Sequence, residues 1–460
     1  MTLTFNKVII KHNVKLFVNN FTKRWGMKEI ILTATGDSLF TANVPNAYFE
    51  GLFLPIQEFL SDADVKMTNL ETNVGEFGDF PNAYSGGTWL NCTPEDFDDL
   101  TKFGFNYYST ANNHSMDYSY HGLLSTIENL DKRNLAHSGT GKSLSEASAP
   151  AILSVNGQKL AIISVDTSHK EPSKAGEQTN TMKARPGVNY VDFTSYYPIT
   201  REQLECLKEI AKTSNVNAYE QIMVDSGFSL SAPDGIYKFG NTFFCYDNSK
   251  KKTECNKKDL NRLVEQIKRA KEQNDYVILA VHCHEIGATK HEQVPDYFVE
   301  LAHASIDAGC SAIIGNGTHQ LRPLEIYNGC PIFYSLGDFI YQGMRVKYLP
   351  ADFMKKYGVD INATAYEGLM ARSKNNTIGL QTEKCNFLTV LPKMKFKDGK
   401  LCSLEMLPIN AGFKAEGEFD GLPYAVKGDE AKEIFDILDK LSRPYGTKLK
   451  LVDDKIVLEG

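Results

Sequence analysis

Two imidazoles and a carboxylate stand together in VHCHE, where His282, His284 and Glu285 follow the apolar run DYVILA. On an extended chain successive side chains alternate, so His282 and His284 leave one face and Cys283 the other. Imidazole nitrogens with a carboxylate nearby suit zinc, manganese or iron. Other polar residues close apolar runs in the same manner: Asp37 after EIILTATG, Glu71 after DVKMTNL, Asn113 and His114 after FNYYSTAN, and His319 after CSAIIGNGT. Each has a plainer reading alone, since Asp beside Gly is a turn residue and histidine is commonly half-buried. Their recurrence at several strand ends points to one pocket, because open α/β sheets bind ligands outside the carboxyl ends of their strands.

The elements that must position these residues alternate between strand and helix from residue 28. EIILTAT reads as a strand ending at Gly36-Asp37, and FEGLFLPIQEFLSDA has helical spacing. TPEDFDDLTKFG opens with Thr93 as N-cap, Pro94 at the first helical position and Asp96 three residues after the cap, with Gly104 as stop. Further helices are expected over SYHGLLSTIENLDKRN, KDLNRLVEQIKRAKEQN, VPDYFVELAHASIDAG and KGDEAKEIFDILDKLSRPYGT. Asn156-Gly157 and Asn328-Gly329 are the favoured pair for tight hairpins, and Asp398-Gly399 joins two more strands. Residues 1–27 read as an N-terminal extension, 167–199 and 343–384 as aperiodic insertions, and 386–460 as closing strands and a helix. The pattern is α/β with helices covering sheet faces.

Bulk properties bound the function. The 460 residues are 42% hydrophobic and 23% charged, which describes a soluble globular chain with ample core. A net charge of −7 argues against a nucleic-acid partner. No apolar run approaches the roughly 20 residues of a membrane span. Lys7, Lys11 and Lys15 interrupt the N-terminus, which lacks the apolar region of a secretory signal. Nine cysteines without CxxC spacing fit reduced thiols, and a cytoplasmic protein is expected. AHSGTGKS imitates a phosphate loop, but Ala136 replaces its first glycine and LSEASAP runs into Pro150, leaving no long helix to bind the anion. His303 has the spacing of a packing residue, while His121 and His291 read as surface positions.

Together GDSLF, NLET, ANNHSMDYSYHGL, SGTGKSLSEASAPAIL, VHCHE and GNGTHQLRPLEIYNGCPIFYSLGDFIYQ resemble the CapA, or poly-γ-glutamate capsule synthesis, proteins from about residue 28 to the end. The resemblance implies a two-sheet α/β/β/α sandwich of calcineurin-like metallophosphatase type, with loop insertions and a pocket at the strand ends. It implies metal ligands among Asp37, Glu71, Asn113, His282, His284 and His319, and catalytic roles for Asn113, His114, His282 and Glu285. Substrate contacts are expected from Asn112, Arg185, Asn316 and Arg322, which lie in or beside the matching motifs. Two positions depart from the metallophosphatase pattern: Leu39 stands two residues after the first aspartate, and Asn316 stands in GNGTH, where histidines are expected. An amide is a poor ligand for soft divalent metals, so one ion (manganese, zinc or iron) is expected rather than two.

Three functions follow from this resemblance. The first is a metal-dependent hydrolase of a phosphoester or of a γ-glutamyl or peptide amide. The second is a metal-independent acid/base enzyme such as a peptide epimerase, which needs two opposed bases and no cofactor. The third is a non-catalytic subunit that binds a glutamyl polymer or other capsule-synthesis proteins.

Overall fold

The computed structural model describes residues 29–76, 80–246, 252–415 and 417–459, so the expected extension over 1–27 lies outside the described residues. The strands that lead into the polar residues are β1 (Glu29–Leu39), β2 (Val65–Leu70), β3 (Tyr107–Ser109), β4 (Gln158–Asp166), β5 (Tyr276–His282), β6 (Ala312–Asn316) and β7 (Asp338–Tyr341). They fall into two sheets. In the ten-stranded sheet β1 lies parallel to β2 and β7, and β2 parallel to β3. In the six-stranded sheet β5 runs between β4 and β6, all parallel. Parallel pairing brings carboxyl ends level. Asp37 stands opposite both Asp338 and Asn69, and His282 opposite both Asp166 and Asn316.

Alternation along the strands decides what packs where. Ile30, Leu32 and Ala34 of β1 share one core with Ile278 and Ala280 of β5 and Ile314 of β6, so the two sheets bury apolar faces in common. Beyond the larger sheet, Phe97 and Leu100 of α1 (Pro94–Thr101) and Leu130 of α2 (Ser119–Lys132) pack with Tyr108 and Leu391. Beyond the smaller sheet, Leu263 and Ile267 of α3 (Lys257–Gln273) and Phe298 and Leu301 of α4 (Asp296–Asp307) cover Val277, Leu279 and Val281. Each such side chain contributes about 1.5–3 kcal/mol by leaving water.

Local signals place most elements. Thr93 and Asp96 form a reciprocal capping box on α1. The turns Asn156-Gly157, Asn328-Gly329 and Asp398-Gly399 all have positive φ at both residues. Other elements differ from the sequence expectation. β1 runs through Gly36-Asp37 to Leu39, because β7 joins it there and the Gly337 carbonyl passes directly over Gly36. A Cβ at Gly36 would stand 1.9 Å from that oxygen. The helical spacing of 49–63 resolves into two short helices, Asn46–Phe49 and Leu54–Leu60.

The stretch 167–199 is not wholly loop: Phe193–Pro198 forms a strand in a four-stranded sheet with Ile236–Phe239, Thr242–Cys245 and Thr253–Cys255. Residues 343–384 contain the helices Ala351–Lys356 and Ala365–Arg372, whose Phe353 and Leu369 pack with Leu39 and Trp89. After α5 (Gly428–Ser442) the chain adds a hairpin, Leu449–Val452 with Lys455–Leu458, at the edge of the large sheet. Among the described residues no helix is long and apolar enough to cross a membrane. Among the described residues the nine cysteines form no disulfide.

Candidate metal centre

Glu71 follows β2 directly and is fully buried, yet neither carboxylate oxygen has a hydrogen-bond partner among the described residues. Its Oε1 lies 3.5 Å from His282 Nε2, 3.8 Å from His284 Nε2 and 3.8 Å from His114 Nε2. Burial holds the Glu71 carboxyl well above its usual range, and the neighbouring Asp37 adds to the effect. Burial likewise pushes the His282 and His284 imidazoles well below theirs. A buried carboxylate that accepts nothing is costly, and so is the His284 Nε2 atom, which is also buried without a partner. Glu71, His282 and His284 each offer a ligand atom, all within 4.8 Å of one another, and that donor set fits a divalent cation.

A second group of the same kind consists of Asp37, His319 and Asp338. Its members are already engaged with their surroundings. Asp37 Oδ1 accepts from Asn69 Nδ2 at 2.6 Å and its Oδ2 from the Gly317 N–H at 2.8 Å. His319 Nδ1 and Asp338 Oδ1 are 2.9 Å apart. Burial, helped by the charge on Asp338, pushes the Asp37 carboxyl up to about 7. Burial disfavours the charged form of His319, but Asp338 and Asp37 outweigh it and the imidazole is raised.

Amides and acids orient these rings. Asn113 Oδ1 is 2.8 Å from His282 Nε2, and Asn69 Nδ2 is 3.3 Å from His282 Nδ1. Asn112 anchors the loop, donating to the Leu70 carbonyl at 2.8 Å and accepting from the His114 N–H at 3.1 Å. His114 Nδ1 meets Asp117 Oδ2 at 2.6 Å, leaving Nε2 turned toward Glu71. Asp117 is fixed in turn by the N–H groups of Leu90 and Gly86, at 2.8 and 3.0 Å. Gly86 must be glycine for this approach, since a Cβ there would stand 2.5 Å from His114 Nε2. A cleft of about 340 Å³ opens above His114 and His319, lined also by Leu39, Gly86 and Tyr341.

The family model for bacterial capsule synthesis protein PGA_cap matches residues 31–343, which contain every residue of both groups. The chain belongs to that capsule synthesis family. The chain is similar to the uncharacterized protein y4sH of Sinorhizobium fredii, 30% identical over 92% of this chain and 91% of that protein. The PGA biosynthesis protein CapA of Bacillus subtilis is 26% identical over 53% of this chain and 44% of its own. A probable polyglutamine synthesis accessory protein of Mycobacterium tuberculosis is 24% identical over 61% of this chain and 57% of its own.

Within this PGA_cap chain the expected site residues separate into three sets. Asp37, Glu71, Asn112, Asn113, His114, His282, His284 and His319 come together as described. Asn316 is buried opposite His282 with its Oδ1 unpartnered among the described residues. Glu285, Arg322 and Arg185 are turned elsewhere. The Glu285 carboxylate accepts from Ser168 Oγ at 2.9 Å and Tyr297 OH at 2.7 Å. Arg322 is buried and donates to the carbonyls of His291 and Glu285. Arg185 is exposed and donates to the Lys174 carbonyl at 2.9 Å.

Sequence reasoning missed Asn69, Asp117 and Asp338. Asp338 carried a signal: Gly337-Asp338 closes an apolar run just as Gly36-Asp37 does, and the two pairs become neighbours in parallel strands. Asp117 stands three residues after His114, within reach of a turn. Elsewhere, the imitation phosphate loop leads only into the five-residue helix Leu144–Ser148, and His303 stacks on Tyr327 at 3.8 Å between centroids.

Proposed function

We propose that this chain is a hydrolase of a capsule-type glutamyl polymer, cutting a γ-glutamyl amide with the help of one divalent ion held by Glu71, His282 and His284. The observation that carries the reading is the buried Glu71 carboxylate, unpartnered and facing imidazoles at 3.5–3.8 Å. The choice between the two candidate groups rests on the same criterion. Both Asp37 oxygens and the His319–Asp338 pair are already hydrogen-bonded, whereas Glu71 and His284 are not. The polymer follows from the relatives, which are named for poly-glutamate or polyglutamine synthesis. A phosphoester is the alternative substrate, by analogy with the metallophosphatase type of α/β/β/α sandwich. The core shared between the two sheets, with helices outside each, supports that architecture.

A bound ion supplies Lewis acidity and a water of lowered pKa. Asn69 steadies the His282 ring at Nδ1, leaving Nε2, 2.8 Å from Asn113 Oδ1, as the nitrogen that would take the ion in place of that amide contact. His114, braced by Asp117, exchanges a proton with the reacting group or donates to its developing oxyanion from Nε2. His319, braced by Asp338, faces the same cleft.

That last feature favours a second reading, metal-independent epimerisation by two opposed bases, because both acid-backed histidines line one cleft. Turnover of a γ-glutamyl peptide before and after chelation separates the two. Hydrolysis that stops on chelation and returns with added manganese or zinc supports the first. Activity that survives chelation, with solvent deuterium entering at a peptide Cα, replaces it with the second.

A further inference from the structure

The cleft above His114 and His319 has a wall built by the segment that begins at the helix Ala365–Arg372. Arg372 is the arginine of that lining, which contains no lysine. One of its amino groups donates to Thr88 Oγ1, and the guanidinium lies 5.6 Å from the Phe353 ring centroid. Among the described residues no other hydrogen bond and no carboxylate engages it. A guanidinium carries five N–H donors, so most of this one is left for a ligand. Arg322, by contrast, is buried with its guanidinium donating to the carbonyls of His291 and Glu285.

The wall itself is constrained. Lys374, Asn375 and Asn376 are consecutive residues in left-handed conformation, with φ of 49°, 56° and 58°. Asparagine tolerates that region, but lysine there is strained, and the strain persists only where surroundings impose it. Here they do: Asn375 N–H donates to the Met370 carbonyl at 2.8 Å, Asn376 N–H to Ser373 Oγ at 3.1 Å and Thr377 N–H to the Ser373 carbonyl at 3.0 Å. The turn fixes the chain just after Arg372, and Ser373 and Ile378 to Gln381 complete the wall.

Asp37, Glu71, Asp117 and Asp338 are buried beneath the cleft, so the guanidinium in its wall is the group placed to receive an anion. We infer that Arg372 is an oxyanion-binding residue of the substrate cleft, taking a carboxylate of an acidic peptide or a phosphate group through its free N–H donors. Guanidinium geometry matches either anion bidentately. The inference rests on the reading of the cleft as the substrate site, and it adds selection for substrate charge to that reading.

Calorimetric binding of tri-γ-glutamate, of its analogue with every carboxylate amidated and of inorganic phosphate to manganese-loaded wild type, Arg372→Gln and Arg372→Lys tests it. The wild type is expected to prefer the acid peptide over the amide by about tenfold or more, the Gln variant to lose that preference, and the Lys variant to recover part of it. Amide binding should be the same in all three. If phosphate rather than the acid peptide shows the Arg372 dependence, the oxyanion is a phosphate. Equal losses for acid, amide and phosphate would reduce Arg372 to a strap between the wall and Thr88, and no charge preference in the wild type would overturn the inference. Metal content and turnover, measured on the same samples, keep the two claims apart: an Arg372-dependent preference without metal-dependent turnover retains the subsite and removes the hydrolase.

Discussion

Glu71 is buried beneath the cleft that His114 lines, 3.8 Å from the His114 Nε2 atom, and the two sit in different surroundings. Glu71 is turned inward without a partner, while His114 is braced from behind by Asp117 and presents one free nitrogen. Replacing His114 with Ala should therefore lower kcat by about 10²–10⁴ while metal content stays at the wild-type level. A fall in metal content matching the fall in kcat would make it a ligand instead. Asp166 allows a test of electrostatics apart from turnover. It is buried, its Oδ2 is unpartnered among the described residues, and burial pushes its carboxyl up to about 7, with His169 opposing. Between pH 4 and 7 the unfolded chain has released this proton and the folded chain keeps it, so stability falls as pH rises across that window. Asp166→Asn should flatten that fall and raise stability at neutral pH by on the order of 2 kcal/mol, read from denaturant melts at pH 5 and pH 7.5. An unchanged slope would mean that the carboxyl is ionised at neutral pH.

At the scale of elements, the junction of β1 and β7 holds Asp37 beside Asp338. Gly36→Ala forces a methyl against the Gly337 carbonyl, which is backbone and cannot swing away. The expected cost is about 3 kcal/mol or more, against about 1 kcal/mol for Gly157→Ala in the hairpin turn, where nothing stands within 4 Å of the added Cβ. Thermal melts of the two variants compare them directly, and equal losses would contradict the close approach.

The same contrast explains what was legible in the sequence. Asn156-Gly157 and the Thr93–Asp96 capping box are local, so a few residues suffice to read them. The β1–β7 pairing joins residues some three hundred positions apart, and nothing near Asp37 announces Asp338. Phe193–Pro198 was unreadable as a strand because its partners come from 243–255 and its side chains are only half covered. The closing hairpin turns on Asp453-Asp454, without the glycine that marked the others. Glu285 was misplaced because the strand ends at His282, and past His284 the chain turns its carboxylate toward Ser168 and Tyr297. The eight residues that do meet were readable from one rule, that polar residues closing parallel strands share an edge.

At the scale of the molecule, two sheets with a common core bring strand ends from residue 37 to residue 338 to one place. The fold thereby buries Glu71 beside three imidazoles at a cost that the proposed divalent ion would offset. Titration of manganese or zinc into metal-stripped protein, wild type beside Glu71→Gln, tests this most directly. The account predicts one ion per chain in the wild type and an affinity at least about a hundredfold weaker in the variant, which should fold with undiminished stability because it loses a buried, unpartnered carboxylate. Stoichiometric uptake that is indifferent to Glu71→Gln, or no uptake by the wild type at all, would contradict it.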